Sequence, residues 1–112
     1  MSARRGDIWL IDFGEPTGRE QSGRRPAVVV SADRLNESRA GVVIVVPCTT
    51  ADRGLPSHIE LDPQVTGLNE VSYAKCEDLK SVSERRLISP LGRADDEAMI
   101  LIKRALQFLL AF

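Results

Sequence analysis

Short runs of strand-forming residues, separated by polar or glycine-containing segments, fill most of the chain. Ile8–Phe13 alternates weakly and is rich in strand formers, and Ala27–Ser31 is a second run of this kind. Val42–Pro47 is continuously β-branched up to its final proline, which is typical of a strand buried on both faces. Further strands are predicted at Ser57–Leu61, Val71–Cys76 and Leu79–Val82.

The intervening segments predict turns and loops. Polar residues favour a short helix or turn at Asp33–Arg39 and a loop at Cys48–Pro56, and Pro63 and Gly67 interrupt the chain after the fourth strand. One helical turn at Ser83–Leu87 and an extended or turn segment at Ser89–Gly92 complete the pattern.

The C-terminal segment has a different period. Asp95 is a predicted N-cap, and an apolar stripe at helical spacing follows it, which must pack on something. The stripe consists of Met99, Ile102, Leu106, Leu109 and Leu110. Strands followed by one terminal helix predict a mainly β fold, with a small, strongly bent antiparallel sheet or partial barrel that the helix closes or flanks.

Composition narrows the class of protein. The chain has 112 residues, which predicts one domain over residues 1–112, and its 43% hydrophobic and 28% charged residues are ordinary for a globular protein. A net charge of −1 argues against coating nucleic acid by bulk electrostatics. A polyanion would therefore have to bind a local patch of positive charge.

The residues that bind metals or cofactors form no recognisable motif. Cys48 and Cys76 lack CxxC spacing, His58 is the one histidine, and glycine-rich phosphate loops are missing, so we expect no metal and no cofactor. Neither a signal peptide nor a membrane-spanning run is evident, which predicts a soluble cytoplasmic protein without a membrane partner. Free thiols are the simplest expectation there, although a disulfide stays open.

The best candidate for a local cationic patch is the loop at 17–26, where three arginines accompany one glutamate and precede a strand. Pro26 biases Arg25 toward an extended backbone, and the guanidinium fork of arginine matches phosphate. Surface arginines are usually only solvated, so the loop alone does not show whether these arginines bind phosphate.

Metal-free phosphoryl chemistry remains possible with these residues. RNA supplies its own nucleophile, the 2′-hydroxyl, so the protein must orient it, stabilise charge and move two protons. Thr49 and Thr50, at the end of a buried strand, offer hydroxyl donors. His58 lies on the polar face of its strand and is either structural, merely exposed, or directly involved.

Four motifs in order resemble the MazF/PemK/Kid toxins of bacterial type II toxin–antitoxin systems. They are Arg5-Gly6-Asp7-Ile8-Trp9, Glu20-Gln21-Ser22-Gly23-Arg24-Arg25-Pro26-Ala27-Val28-Val29, Val46-Pro47-Cys48-Thr49-Thr50 and Leu55-Pro56-Ser57-His58. The resemblance implies a homodimer with an SH3-like barrel core, also seen in CcdB-type toxins. It also implies a sequence-specific ribonuclease that cuts single-stranded RNA without a metal, leaves a 2′,3′-cyclic phosphate and a 5′-hydroxyl, and inhibits translation and growth.

The resemblance also implies roles for individual residues and a partner. The key arginine and threonine of the family fall on Arg25 and Thr49, and Arg19 replaces a histidine used in one branch. Lys75-Cys76-Glu77 stands where that branch has an Arg-x-Asp dyad, so Glu77 is either a base for the 2′-hydroxyl or a partner of Lys75 or Arg25. A MazE-like antitoxin, mostly disordered and acidic, would cover the groove. Expected substrate contacts are Arg19, Glu20, Gln21, Arg24, Thr50 and His58.

Two other functions stay open at this point. A CcdB-like toxin would bind and poison DNA gyrase without catalysis, and a small barrel without activity is the third possibility. The arginine and threonine motifs favour the ribonuclease, because a gyrase-binding protein has no use for a phosphate site. The chain has only five aromatic residues, so stacking of RNA bases is expected to depend on arginine or proline.

Overall fold

A computed structural model describes residues 2–15 and 23–112, which form seven strands, three α-helices and two 3₁₀ turns. The last helix is much the longest. The strands are β1 (Asp7–Asp12), β2 (Arg24–Val29), β3 (Val42–Thr49), β4 (His58–Leu61), β5 (Ser72–Lys75), β6 (Lys80–Ser83) and β7 (Leu87–Arg93). The helices are α1 (Asp33–Asn36), α2 (Pro63–Thr66) and α3 (Asp96–Leu110), and the 3₁₀ turns are Cys76–Asp78 and Glu84–Arg86.

The strands pair antiparallel in the order β4-β5-β3-β2-β1-β7, with β6 also paired to β3. The long strand β3 organises the sheet, because its first half pairs with β6 and its last two residues pair with β5. Within the described residues the strand order is open, with β4 and β7 at its ends. The predicted mainly β fold with a terminal helix is confirmed.

Both faces of β3 are buried, as its continuous β-branched run predicts. Val43 and Val45 pack with Trp9 on one face, while Val46 packs with Ile102 of α3 on the other. Alternate side chains of a strand point to opposite faces, so the same strand contributes to two apolar clusters. The sheet is therefore held rigidly on both sides at its centre.

Helix α3 begins where the sequence predicts. The side chain of Asp95 accepts a hydrogen bond from the backbone N–H of Ala98 at 3.1 Å, and Ile102 is buried against the sheet. The predicted stripe is only partly covered, since Leu109 and Leu110 are exposed. The C-terminal end of the helix therefore presents an apolar surface.

Strand boundaries differ from the predicted ones where pairing overrides local composition. The strand β2 starts at Arg24, which pairs with Asp12, although a polar loop was expected there. The predicted loop at Cys48–Pro56 begins later, because Cys48 and Thr49 pair with β5. The extended or turn segment near the end of the sheet is the full strand β7, which pairs with β1.

Candidate functional site

Arg25 and Thr49 lie on the same face of neighbouring strands. The β2–β3 ladder ends at the pair of Ala27 and Pro47, and Arg25 and Thr49 each lie two residues beyond that pair. Opposite residues of an antiparallel pair point to the same side of the sheet. We call the side that carries Arg25 and Thr49 the site face. The sheet thus brings together the two residues that the sequence motifs identified separately.

Both side chains stand on a buried base. Arg25 is exposed, but its ladder partner Ile11 and its next neighbour on the same face, Ala27, are fully buried. Thr49 is half-buried, and its Oγ1 accepts a hydrogen bond from the backbone N–H of Ala51 at 3.2 Å. This bond leaves the hydroxyl hydrogen of Thr49 available to a ligand. Groups anchored on packed strands hold their geometry better than groups on loops.

Arg24 and Thr50 do not share the site face with the adjacent residues Arg25 and Thr49. Arg24 pairs with Asp12, and alternation along β2 directs its side chain to the face opposite that of Arg25. Thr50 is exposed and lies just beyond the end of β3. Neither residue shares the strand-supported position of the arginine and threonine beside it.

A second polar cluster joins β4 to the 3₁₀ turn after β5. The imidazole Nε2 of His58 is 2.7 Å from Oε2 of Glu77, and the Ser57 hydroxyl donates to Oε1 of Glu77 at 2.8 Å. Only 2% of the His58 side chain is exposed, although alternation on its strand predicted a polar face. Its Nδ1 is buried without a hydrogen-bond partner among residues 2–15 and 23–112.

The contacts in this cluster lower the pKa of Glu77. Burial raises the pKa of Glu77, but hydrogen bonds with His58, its own backbone and Ser57 outweigh it and hold the pKa below its usual value. Glu77 thus contacts His58, which the sequence analysis did not name among its possible partners. Lys75 instead lies 2.9 Å from Asp78, measured from Nζ to Oδ2.

The sequence did not identify Tyr73 and its two acidic neighbours. Tyr73 is directly opposite Thr49 in one ladder and opposite Glu60 in the next. Burial, followed by the charges of Asp52 and Glu60 and a hydrogen bond with Asp52, raises the pKa of Tyr73. Alternation in β5 separates Tyr73 from the core residue Ala74, but only the strand register shows that it adjoins Thr49.

Three of the expected substrate contacts lie outside the described residues. Arg19, Glu20 and Gln21 fall in the part of the loop that the structure does not describe. Cys48 and Cys76 are free and buried, and burial raises the pKa of each thiol to about 12, so neither is a nucleophile at neutral pH.

The described residues contain neither a metal-ligand cluster nor a membrane-spanning helix. No three of their His, Cys, Asp or Glu side chains are grouped so that they could hold a metal ion. None of the helices in those ranges is long and apolar enough to cross a membrane.

The described residues form an open antiparallel sheet with one long terminal helix, and Arg25 and Thr49 lie on its surface at the ends of β2 and β3. The family model for PemK-like, MazF-like toxins of type II toxin–antitoxin systems matches residues 4–110. The chain belongs to this family.

Relatives with curated names agree. The chain is 36% identical over 109 residues to the endoribonuclease MazF9 of Mycobacterium tuberculosis, covering 93% of this chain and 92% of the relative. It is 31% identical over 112 residues to the endoribonuclease EndoA of Bacillus subtilis, covering 99% and 97%. These relatives favour the ribonuclease over the gyrase-binding alternative.

Solved structures show the same fold. A MazF crystal structure from Deinococcus radiodurans superposes with a TM-score of 0.89 at 24% identity, covering 100% of this chain and 99% of that one. A MazE–MazF crystal structure from the same organism gives a TM-score of 0.82 at 25% identity, covering 100% and 98%. The expected MazF-like fold is thereby confirmed.

Proposed function

We propose that this chain is a sequence-specific, metal-independent endoribonuclease toxin that cleaves single-stranded RNA in the bacterial cytoplasm and so inhibits translation and growth. The observation that supports the proposal is that Arg25 and Thr49 each lie two residues beyond the Ala27–Pro47 pair that ends the β2–β3 ladder, which by alternation puts them on the same face. Relatives named endoribonucleases, matched over nearly their full length, support the same activity.

The proposed reaction uses the RNA as its own nucleophile. The 2′-oxygen attacks the adjacent phosphorus, the bond from phosphorus to the 5′-oxygen breaks, and a 2′,3′-cyclic phosphate and a 5′-hydroxyl result. One proton leaves the 2′-oxygen and one is delivered to the 5′-oxygen. Arg25 stabilises the charge that grows on the phosphate oxygens, and the Thr49 hydroxyl donates to one of them.

Glu77 is better placed to shape the site than to act as the base. Tyr73 is the residue of β5 that lies opposite Thr49, and Lys75 is two residues, or about 6.6 Å, further along that strand. Glu77 is two residues beyond Lys75. Its lowered pKa makes it a weaker base than an ordinary glutamate. We assign His58 and Glu77 a positioning role: their contact fixes β4 against the 3₁₀ turn after β5, beside the strands that carry the site face. The His58 side chain is buried, so it is not assigned a direct contact with RNA.

An antitoxin and a second copy of the chain are the proposed protein partners. Two apolar grooves flank α3, with volumes of about 410 and 720 Å³, and Phe108 and Phe112 are 84% and 92% exposed beside them. Apolar surface of this kind marks protein interfaces. A MazE-like acidic segment that folds on binding, and a twofold homodimer, would bury it. The MazE–MazF crystal structure from Deinococcus radiodurans, a complex that contains a toxin of this fold, supports an antitoxin partner.

The function is tested by cleavage of a long single-stranded RNA in EDTA. Wild type is expected to give discrete cuts ending in 2′,3′-cyclic phosphate, and Arg25→Ala and Thr49→Ala are expected to lower kcat by about 10²–10³. Arg24→Ala and Thr50→Ala remove the same groups one residue away, at expected substrate contacts that do not share the site face, so they are expected to raise KM with a much smaller loss of kcat. If a folded wild type cuts no RNA in a complex mixture, the proposal fails and gyrase binding becomes the next activity to test.

A further inference from the structure

Tyr73 adjoins the proposed phosphate site through two ladders. It is opposite Thr49 on β3 and opposite Glu60 on β4, so the three side chains share the site face. Opposite residues in an antiparallel pair have Cβ atoms about 4.5–5.5 Å apart. With Arg25 on the far side of Thr49, the face carries a row of arginine, threonine, tyrosine and glutamate across four adjacent strands.

The tyrosine ring is presented on a rigid base. Its strand neighbours Ser72 and Ala74 are buried and point to the opposite face, while the ring itself is only half-buried. A tyrosine hydroxyl is protonated at neutral pH, and burial together with the nearby charges of Asp52 and Glu60 raises the pKa of Tyr73 further. The ring is therefore a neutral, fixed aromatic surface beside the residues proposed to bind phosphate.

The other aromatic residues are placed where they cannot serve this site. All five aromatics lie in the described ranges: Trp9 and Phe13 are buried in the core, and Phe108 and Phe112 are at the end of α3. The expectation that base stacking would rely on arginine or proline overlooked Tyr73, because its position beside Thr49 depends on the register of β3 with β5.

We propose that Tyr73 is a base-stacking residue of the RNA site and holds the base of a nucleotide adjacent to the cleaved phosphate. The inference rests on the proposed ribonuclease function. Single-stranded RNA is recognised by stacking unstacked bases on aromatic side chains and by hydrogen bonds to their edges. A phosphate at Thr49 brings the neighbouring base within reach of the next strand, about 4.8 Å away.

The acidic neighbours of Tyr73 give this position a base preference. Glu60 is directly opposite Tyr73, the charge of Asp52 also acts on the Tyr73 hydroxyl, and an ionised carboxylate only accepts hydrogen bonds. Lys75, two residues along the same face, is engaged by Asp78. A stacked base whose edge presents amino or imino hydrogens is therefore favoured over one that presents acceptors at the same place.

The kinetic test compares Tyr73→Phe with Tyr73→Leu on an RNA that the wild type cleaves in EDTA. The phenylalanine variant keeps the stacking ring and is expected to retain its KM. The leucine variant is expected to raise KM roughly tenfold or more, with a smaller change in kcat, and to relax the base preference at the nucleotides flanking the cut. A leucine variant with wild-type KM and preference would overturn the proposal while leaving the ribonuclease function intact.

A spectroscopic test does not depend on catalysis. Tyr73→Trp places an indole at the site, and a 2′-deoxy analogue of the cleaved RNA binds without being cut. Quenching on binding is expected for this variant, and not for Ile88→Trp, a control at an exposed position of β7 at the other end of the strand order. The buried Trp9 contributes the same background to both. Equal quenching in the two variants, or none in either, counts against stacking; failure of the wild type to cut any RNA instead rejects the function itself.

Discussion

The imidazole of His58 and the carboxylate of Glu77 lie 2.7 Å apart, joining β4 to the 3₁₀ turn that follows β5. The histidine side chain is almost fully buried, whereas 35% of the glutamate side chain is exposed. The pair thus links an interior group to the surface that borders the proposed RNA groove. We assign the pair a structural role, because the Ser57 hydroxyl also donates a hydrogen bond to the same carboxylate.

Replacing Glu77 by glutamine should make stability less dependent on acid pH. A folded-state pKa below the unfolded value means that ionised Glu77 stabilises the fold above the unfolded pKa of about 4.5. That contribution is lost as pH falls through the lower, folded-state pKa. The Tm difference between wild type and Glu77→Gln should be largest near pH 7 and shrink below about pH 4.5.

Thermal unfolding followed by circular dichroism from pH 7 to 3.5 measures this difference. Glu60→Gln is the control, because Glu60 is an exposed carboxylate on the same strand as His58. A Tm gap for Glu77→Gln that widens on acidification would contradict the assigned direction of the pKa shift.

The hydroxyl of Thr49, rather than its shape, should matter for cleavage. Thr49→Val keeps the β-branched side chain that suits a strand but removes the donor to phosphate, so kcat should fall by about 10²-fold with little change in Tm. Thr49→Ser restores a hydroxyl and should recover much of the rate. Single-turnover cleavage assays separate the chemical step from binding, with Thr50→Val as the control; a fully active Thr49→Val would remove the residue from the mechanism.

Burial by the sheet distinguishes two isoleucines on helix α3. Ile102 is 1% exposed and packs on the sheet, whereas Ile100 is 50% exposed. Ile102→Ala should lower the free energy of unfolding by about 2–5 kcal/mol, and Ile100→Ala by much less. Urea denaturation of the isolated toxin measures both. Comparable losses would show that Ile100 is buried in an interface between copies.

The two thiols should be unreactive in the native protein. Cys48 and Cys76 are buried, and burial raises the pKa of each to about 12, so the thiolate population is very small at pH 8. Titration with a chromogenic disulfide reagent should show slow reaction in buffer and rapid reaction of both thiols in denaturant. Fast native modification of either cysteine would mean that strand β3, which carries Cys48, or the 3₁₀ turn that begins at Cys76 opens readily.

Local patterns in the sequence determined the elements of this protein and its principal motifs. The β-branched run at 42–47 predicted a strand buried on both faces, and Asp95 marked the start of α3, because alternation, burial and capping are encoded within a few neighbouring residues. The motifs around Arg25 and Thr49 could also be recognised from the sequence, since each is contiguous in the chain.

Only the tertiary structure decided which of these residues meet. Strand register placed Tyr73 beside Thr49, and the fold paired His58 with Glu77 rather than leaving it on a polar face. The last turns of α3 carry apolar residues that the described sheet does not cover. Pairing between strands depends on the combined burial of both faces over many residues, so no local stretch of sequence specifies it.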